Sequence, residues 1–303
     1  MKPKVIVFGI GTSFKSFIKN LNGEYEIIGL SDWDESKHGT ILEGYEIINP
    51  YTFENYDFDY VLIVSYYVRE IKAQLTERIN LPESKIQVPP KYLIKYGKPF
   101  EDKETKKFAG EIIVYLTQLA DKRNIPLYLD YGTLLGMTRD NNVIDWDDDI
   151  DFSLNQKDVE AFKNLLLEKK DELLYPDLLK WSAYCQQDEK GNIWNINLRF
   201  TNRNEFKFHE FDIGIGVNGI FGDRSVCMRG RYLARPAIHF ESYDVINFNG
   251  YDLKAPYKHI EYLNYVYNDW GQPKIYQFGE KYGYGEKTHM PEVKTNNKEV
   301  VLF

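Results

Sequence analysis

Acid is concentrated at one point of the chain, Asp145-Trp146-Asp147-Asp148-Asp149-Ile150-Asp151-Phe152-Ser153-Leu154. Read as a strand, period two sends Asp147, Asp149 and Asp151 to one face and Ile150, Phe152 and Leu154 to the other. Two carboxylates about 4 Å apart repel by roughly 1 kcal/mol in water and about 4 kcal/mol at an effective dielectric near 20. Three on one side of a strand therefore call for a bound cation or for protons. Mg2+ or Mn2+ fits best, because these hard ions take carboxylate oxygen and leave positions free for substrate phosphate. An acidic surface loop would explain the charges but not the alternating apolar partners. An EF-hand calcium loop does not match, since apolar strand residues follow the acids where that loop needs glycine and a distal glutamate.

A third ligand has to come from another element. The candidate is Asp212 in His209-Glu210-Phe211-Asp212-Ile213-Gly214-Ile215, where Phe211, Ile213 and Ile215 face the core and the acid points away. The runs 193–200 and 205–215 read as a hairpin that could carry Asp212 to the first acids. A lone acid at a strand end is more often only solvated. Upstream, Leu127-Tyr128-Leu129-Asp130-Tyr131-Gly132-Thr133 reads as a strand turning into a helix that runs to Arg139. Gly132 would admit a phosphate to the backbone, Thr133 would cap the helix and offer a hydroxyl, and the helix dipole would favour the anion. Arg139 could hold the same phosphate, although pairing with a nearby aspartate is the more ordinary use. Arg199 and Arg203 divide between phosphate contact and surface pairing in the same way, while His239 and His289 lack metal-like partners and read as structural.

Two units must position these groups. Over the first ninety residues, strands at 5–8, 25–30 and 60–65 alternate with helices at 13–21 and 69–80, the pattern of a parallel sheet with crossover helices. Residues 1–95 are thus expected to form an α/β Rossmann-like domain, to which no role is assigned. Gly9-Ile10-Gly11-Thr12 and Asp32 make a partial dinucleotide fingerprint, with Phe14 where the third glycine would stand. Pro89-Pro90 and the charged stretch 101–107 mark a boundary. A helix from Phe108 to Arg123 follows, with Ile112, Ile113, Leu116, Leu119 and Ala120 on one face.

At 303 residues, two domains are the default. Apolar content of 43 % with 28 % charged residues is that of a globular protein. A net charge of −8 argues against a nucleic-acid partner, because phosphate backbones are held by an excess of Lys and Arg. Two cysteines, Cys185 and Cys227, are too few to staple such a chain, which points to a reduced compartment. The N-terminal apolar run is too short for a signal peptide, and nothing approaches the roughly eighteen apolar residues of a membrane span. The expectation is a cytoplasmic protein with at most peripheral contact at the inner face of the membrane.

The residues from Tyr128 to Phe152 resemble the LicD family of the nucleotidyltransferase superfamily, related to fukutin and fukutin-related protein. The likeness rests on an aromatic-rich strand, Gly132-Thr133-Leu134-Leu135-Gly136, Arg139 and Trp146-Asp147-Asp148-Asp149-Ile150-Asp151. Phe211-Asp212-Ile213 is similar to the family's later single-Asp strand, and Leu263, Tyr267, Asp269, Trp270 and Pro273 are similar to its C-terminal motif, with Asn268 in place of a glycine. The family commonly has Arg-His-Gly-Gly and a proline before the acidic run, where this chain has Arg139-Asp140-Asn141-Asn142-Val143-Ile144-Asp145. The first ninety residues are similar in outline to small Rossmann-like modules attached to bacterial glycan-modifying enzymes.

The resemblance implies an α+β nucleotidyltransferase-fold catalytic domain over residues 105–303. It further implies transfer of phosphocholine, phosphoethanolamine or a polyol phosphate from a CDP-linked donor to a hydroxyl of a glycan or lipid-linked glycan in cell-surface polysaccharide synthesis. Metal ligands would fall on Asp149, Asp151 and Asp212, with Asp147 and Asp148 behind them or handling protons. Gly132, Thr133 and Arg139 would bind the donor phosphate. Two other classes stay open: a nucleotidyltransferase that forms an activated intermediate and releases pyrophosphate, and a nicotinamide-dependent oxidoreductase that acts on a sugar through the N-terminal domain.

Overall fold

The structure, a computed structural model, describes residues 2–65, 67–94, 97–228, 232–273 and 298–303. Over these the chain forms two compact units that divide between Gly97 and Lys98. His289, read above as structural, lies outside the described residues.

The first unit runs β1 (Lys4–Phe8), α1 (Thr12–Asn20), β2 (Glu26–Ser31), β3 (Ile41–Leu42), β4 (Tyr45–Ile48), β5 (Tyr60–Ile63), α2 (Val68–Ile79), β6 (Ile86–Gln87) and α3 (Lys91–Ile94). Its sheet has the order β3-β4-β2-β1-β5-β6, parallel except for the β3–β4 pair. Central β1 is buried from Val5 to Phe8, which explains its unbroken apolar run, since a parallel strand covered on both faces has no polar side to alternate with. Gly9, at φ +97°, lets the chain leave β1 beside Val64, whose carbonyl oxygen lies 2.9 Å from where a Cβ would stand. Phe14 is buried in the core of this unit. The position where a dinucleotide fold needs a third glycine is thus filled by packed hydrocarbon.

The second unit runs α4 (Lys103–Asp121), β7 (Tyr128–Leu129), α5 (Tyr131–Arg139), β8 (Asp149–Asn155), α6 (Val159–Lys169), β9 (Leu179–Gln187), β10 (Ile193–Asn202), β11 (Asp212–Phe221), β12 (Arg224–Met228), β13 (Tyr232–Pro236), β14 (Tyr243–Phe248), β15 (Tyr251–Pro256), α7 (His259–Tyr267) and β16 (Lys298–Val301). Its mixed sheet has the order β14-β15-β7-β8-β11-β10-β9-β16, with β12 paired to β11 and β13. The expected hairpin is present: β10 and β11 are antiparallel. Helix α4 starts five residues earlier than the apolar spacing predicts, because the Asp102 carboxylate accepts from Thr105 N–H at 2.8 Å and caps it. Much of the charged stretch 101–107 is therefore the first turns of a helix and not a linker. Cys185 and Cys227 are both buried and not joined in a disulfide.

One face of the central strands feeds a single hydrophobic cluster. Ile150, Phe152 and Leu154 of β8, Ile213 and Ile215 of β11 and Ile196 and Leu198 of β10 join Phe108, Ile112 and Leu116 of α4 and Phe162 and Leu166 of α6. Alternation leaves the polar residues of the same strands on the opposite face.

A buried polar network ties down the start of α5. Asp130, its N-cap, accepts from Tyr131 N–H at 2.9 Å, from Arg235 Nη1 at 2.9 Å and from Tyr262 Oη at 2.5 Å. Arg235 is fully buried, also donates to Tyr262 Oη and Asn218 Oδ1, and lies against the rings of Phe240, Tyr131 and Tyr262. Burial works against its charge, but the Tyr131, Tyr262 and Asp130 oxygens outweigh that and hold its pKa well above the ordinary value. Burial likewise pushes the Tyr262 phenol well above its usual range. Four elements, α5, β11, β13 and α7, thereby meet at one ion pair, and Tyr131 is held there at φ +43°, a region a tyrosine rarely adopts.

Asp130→Ala leaves the Arg235 charge buried without its carboxylate and should cost about 3–5 kcal/mol in urea unfolding followed by tryptophan fluorescence. Replacing both partners, Asp130→Leu with Arg235→Met, should cost less than Asp130→Ala alone. A loss under about 1 kcal/mol for the single variant would show that the pair does not hold this corner.

Candidate active site

Two glycines on one side of α5 determine where Asp147 goes. At Gly136 a Cβ would stand 2.5 Å from Asn142 O and 3.2 Å from Ile144 N, so the chain leaving the helix can double back along it only over a bare position. One turn earlier, a Cβ on Gly132 would overlap the Asp147 carboxylate. The return loop is pinned by Asp140 N–H to Gly136 O at 2.8 Å and closed by Asp147 N–H to Ile144 O at 3.0 Å. It delivers Asp147 to the N-terminal turn of α5, where the helix dipole favours negative charge.

Strand β8 begins only at Asp149, so Asp147 reaches the site from the loop and not as an alternate strand residue. Its Oδ1 accepts from Asp148 N–H at 3.1 Å. Asp148 is turned fully inward, at 0 % exposure. Asp147, Asp148 and Asp149 each offer a carboxylate oxygen within 4.8 Å of the others, and among the described residues they are the acidic trio so gathered.

The trio implied by the family resemblance is arranged differently. Parallel pairing of β8 with β11 sets Asp212 beside Asp149 and Gly214 beside Asp151, so Asp149, Asp151 and Asp212 share the polar face. The Asp212 carboxylate, however, accepts from Arg199 Nε at 2.6 Å, and that guanidinium also lies 4.8 Å over the Tyr184 ring. A short charge-assisted bond draws Asp212 toward β10 rather than into the gathered trio. Asp149 belongs to both sets. The donors of either set are carboxylate oxygens, the chemistry that hard ions of the Mg2+ and Mn2+ kind take, so these residues fit such an ion.

The expected phosphate cradle divides into separate parts. Gly132 lies against Asp147. Thr133 is buried, and its Oγ1 accepts from Asp151 N–H at 2.8 Å, which brackets α5 to β8. Arg139 makes the acid pair and not an open anion site: Nε and Nη2 bond Asp140 at 2.9 and 2.7 Å, with the guanidinium over Trp146. Arg203 donates to the carbonyls of Pro176 and Leu179. His239 is buried with Nδ1 2.7 Å from Tyr257 O, and burial lowers its pKa. From the C-terminal motif, Leu263 and Tyr267 are core residues of α7, and Trp270 Nε1 donates to Asn264 Oδ1 at 2.8 Å.

Sequence reasoning missed Asp130 and Arg235. An aspartate just before a helix is a capping signal that could have been read. A fully buried arginine leaves no local pattern.

Residues 124–258 match the model of the LicD/FKTN/FKRP nucleotidyltransferase domain, and residues 1–87 match that of the C2185-like N-terminal domain. Residues 124–258 are thus a LicD-family domain, and such a domain marks an enzyme of the transferase class. No curated protein matches the chain significantly. Among solved structures, the chain is similar to the antibiotic-resistance factor ANT(2'')-Ia, at 13 % identity over 56 % of this chain and 79 % of that one, with a TM-score of 0.34. It is also similar to UDP-D-quinovosamine 4-dehydrogenase from Vibrio fischeri, at 19 % identity over 30 % and 80 %, with a TM-score of 0.24. At such low TM-scores neither likeness carries an argument.

Gly132→Ala tests the acidic cluster. Alanine is favoured over glycine in a helix by about 1 kcal/mol, and the atom it meets is the end of a short side chain that can swing away. The thermal midpoint should hold, while Mn2+ affinity read by electron paramagnetic resonance falls about 10-fold or more. Unaltered Mn2+ binding would remove Asp147 from the site.

Proposed function

We propose that the protein transfers a substituted phosphate, a phospho-alcohol such as phosphocholine, phosphoethanolamine or a polyol phosphate, from a CDP-linked donor to a glycan hydroxyl. The observation that carries this reading is the gathering of Asp147, Asp148 and Asp149 at the N-terminal turn of α5 in a unit of the LicD family. Asp147 and Asp149, with Asp148 behind them, would hold Mg2+ or Mn2+, and Asp151 and Asp212 flank them on the polar face. When bound, the ion supplies charge neutralisation on the transferred and leaving phosphates.

The chain's own residues would do the rest. The acceptor oxygen attacks the phosphorus nearest the alcohol in line, the bond to CMP breaks, and CMP leaves with the electron pair. Asp151, adjacent in register to Gly214, is the carboxylate we assign to the acceptor's proton. Arg199, about half exposed, balances the Asp212 charge at the edge of the same face. The donor and acceptor would be small-molecule and glycan partners. Contact with a membrane would be peripheral, since no helix among the described residues is long and apolar enough to cross one. An oxidoreductase role for the first unit is disfavoured by Phe14, packed where a dinucleotide would need a glycine.

The test is incubation with Mg2+ or Mn2+ and CDP-choline, CDP-ethanolamine and CDP-polyols, with CMP followed by chromatography. Slow CMP release is expected from one of them, abolished by EDTA and reduced at least about 100-fold in Asp149→Ala and Asp151→Ala while their circular dichroism is retained. Pyrophosphate release from a nucleoside triphosphate would favour the nucleotidyltransferase alternative. Equal CMP release by variant and parent would end the assignment.

A further inference from the structure

Register extends the polar face well beyond the carboxylates. On β8 and β11, Asp151 lies beside Gly214 and Ser153 beside Gly216. On β10, Asn197 is opposite Gly214 and Asn195 opposite Gly216; on β9, Tyr184 and Gln186 stand opposite those two asparagines. Residues aligned across neighbouring strands put their side chains on the same side of a sheet. The residues between them, Phe152, Ile215, Ile196 and Cys185, all belong to the hydrophobic cluster on the other side. The face is therefore a small lattice. Its row Asp151, Gly214, Asn197, Tyr184 is partly exposed, and the next, Ser153, Gly216, Asn195, Gln186, is buried over its first three positions.

The buried row holds two polar atoms without protein partners. Asn195 is 8 % exposed and Ser153 0 %, and neither Asn195 Oδ1 nor Ser153 Oγ has a hydrogen-bond partner among the described residues. Folded proteins rarely leave such atoms unmatched, and two on one row beside a carboxylate cluster need a specific account. The glycines supply it. Gly214 and Gly216 contribute no side chain between β8 and β10, a separation of roughly 9–10 Å or two strand spacings. That is the width of one ring bearing hydroxyls on both edges. A hydroxyl can donate to Asn195 Oδ1, another can exchange a bond with Ser153 Oγ, and the Asn197 and Gln186 amides each offer a donor and an acceptor. Neither row contains a cation, so a neutral group matches better than a phosphate.

We propose that these two rows seat the acceptor, a neutral, hydroxyl-rich sugar ring laid over Gly214 and Gly216 with its reacting hydroxyl toward Asp151. The assignment rests on the transfer reading above, which leaves the acceptor's position open. Saturation-transfer NMR on the full chain with millimolar methyl glycosides of glucose, galactose and N-acetylglucosamine reads the site without turnover. At least one glycoside should receive saturation, and Asn195→Ala and Gly214→Val should each weaken its binding about 10-fold or more. Asn195→Ala deletes an unpartnered buried group, so its thermal midpoint should stay level or rise, whereas a structural asparagine would lose stability. Should every glycoside fail to bind the parent, or bind Asn195→Ala as well as the parent, the site is refuted. CMP release by a chain that binds no glycoside would leave the transfer reading standing and remove this site. Glycoside binding without CMP release from any donor would keep the sugar site and remove the donor chemistry.

Discussion

Helix α5 can carry a returning chain along its side only because two positions one turn apart have no side chain. Gly136 lets the backbone of Asn142 and Ile144 approach, and Gly132 lets the Asp147 carboxylate rest on the first turn. The place of Asp147 beside Asp148 and Asp149 follows from that contact. Without it the loop would have to stand off the helix, and Asp147 would enter solvent instead of joining Asp148 and Asp149. The helix dipole and the ion that the acids fit then act on the same few ångströms.

That helix must itself be held firmly, and a buried ion pair does so. Asp130 and Arg235 are an unusual choice for anchorage, since a hydrophobic pair of similar volume would often be as stable. What the ion pair adds is direction. Asp130 must satisfy Tyr131 N–H, Arg235 and Tyr262 together, which leaves α5 one orientation. Thr133 then accepts from Asp151 N–H, so the helix is registered against β8 at the last acid of that strand's polar face.

The sheet contributes by alternation alone. The same seven residues of β8 place Ile150, Phe152 and Leu154 in the core and Asp149, Asp151 and Ser153 on the polar side, and parallel pairing with β11 repeats the division with Asp212, Gly214 and Gly216. Chemistry changes along the strand direction in steps of two residues, from acids with a paired arginine to amides and glycine. One surface therefore sets a charged environment beside a neutral one.

The sequence by itself determined the two-unit organisation, the parallel character of the first sheet, the β10–β11 hairpin and the acidic run, because each is written in local apolar periodicity or in residue type. It also carried the LicD likeness, which lives in short contiguous motifs. It did not show β3, β4 or β6, strands of two to four residues that are too short for a period to emerge. Only the tertiary structure decided which acids gather. Asp147 and Asp148 join Asp149 because the loop folds over two glycines, and Asp212 turns to Arg199 because β10 presents that cation next to it. Likewise Thr133 and Arg139 are bound to Asp151 and Asp140. A side chain's partner is set by what long-range folding brings within about 3 Å, and no spacing along the chain encodes that distance.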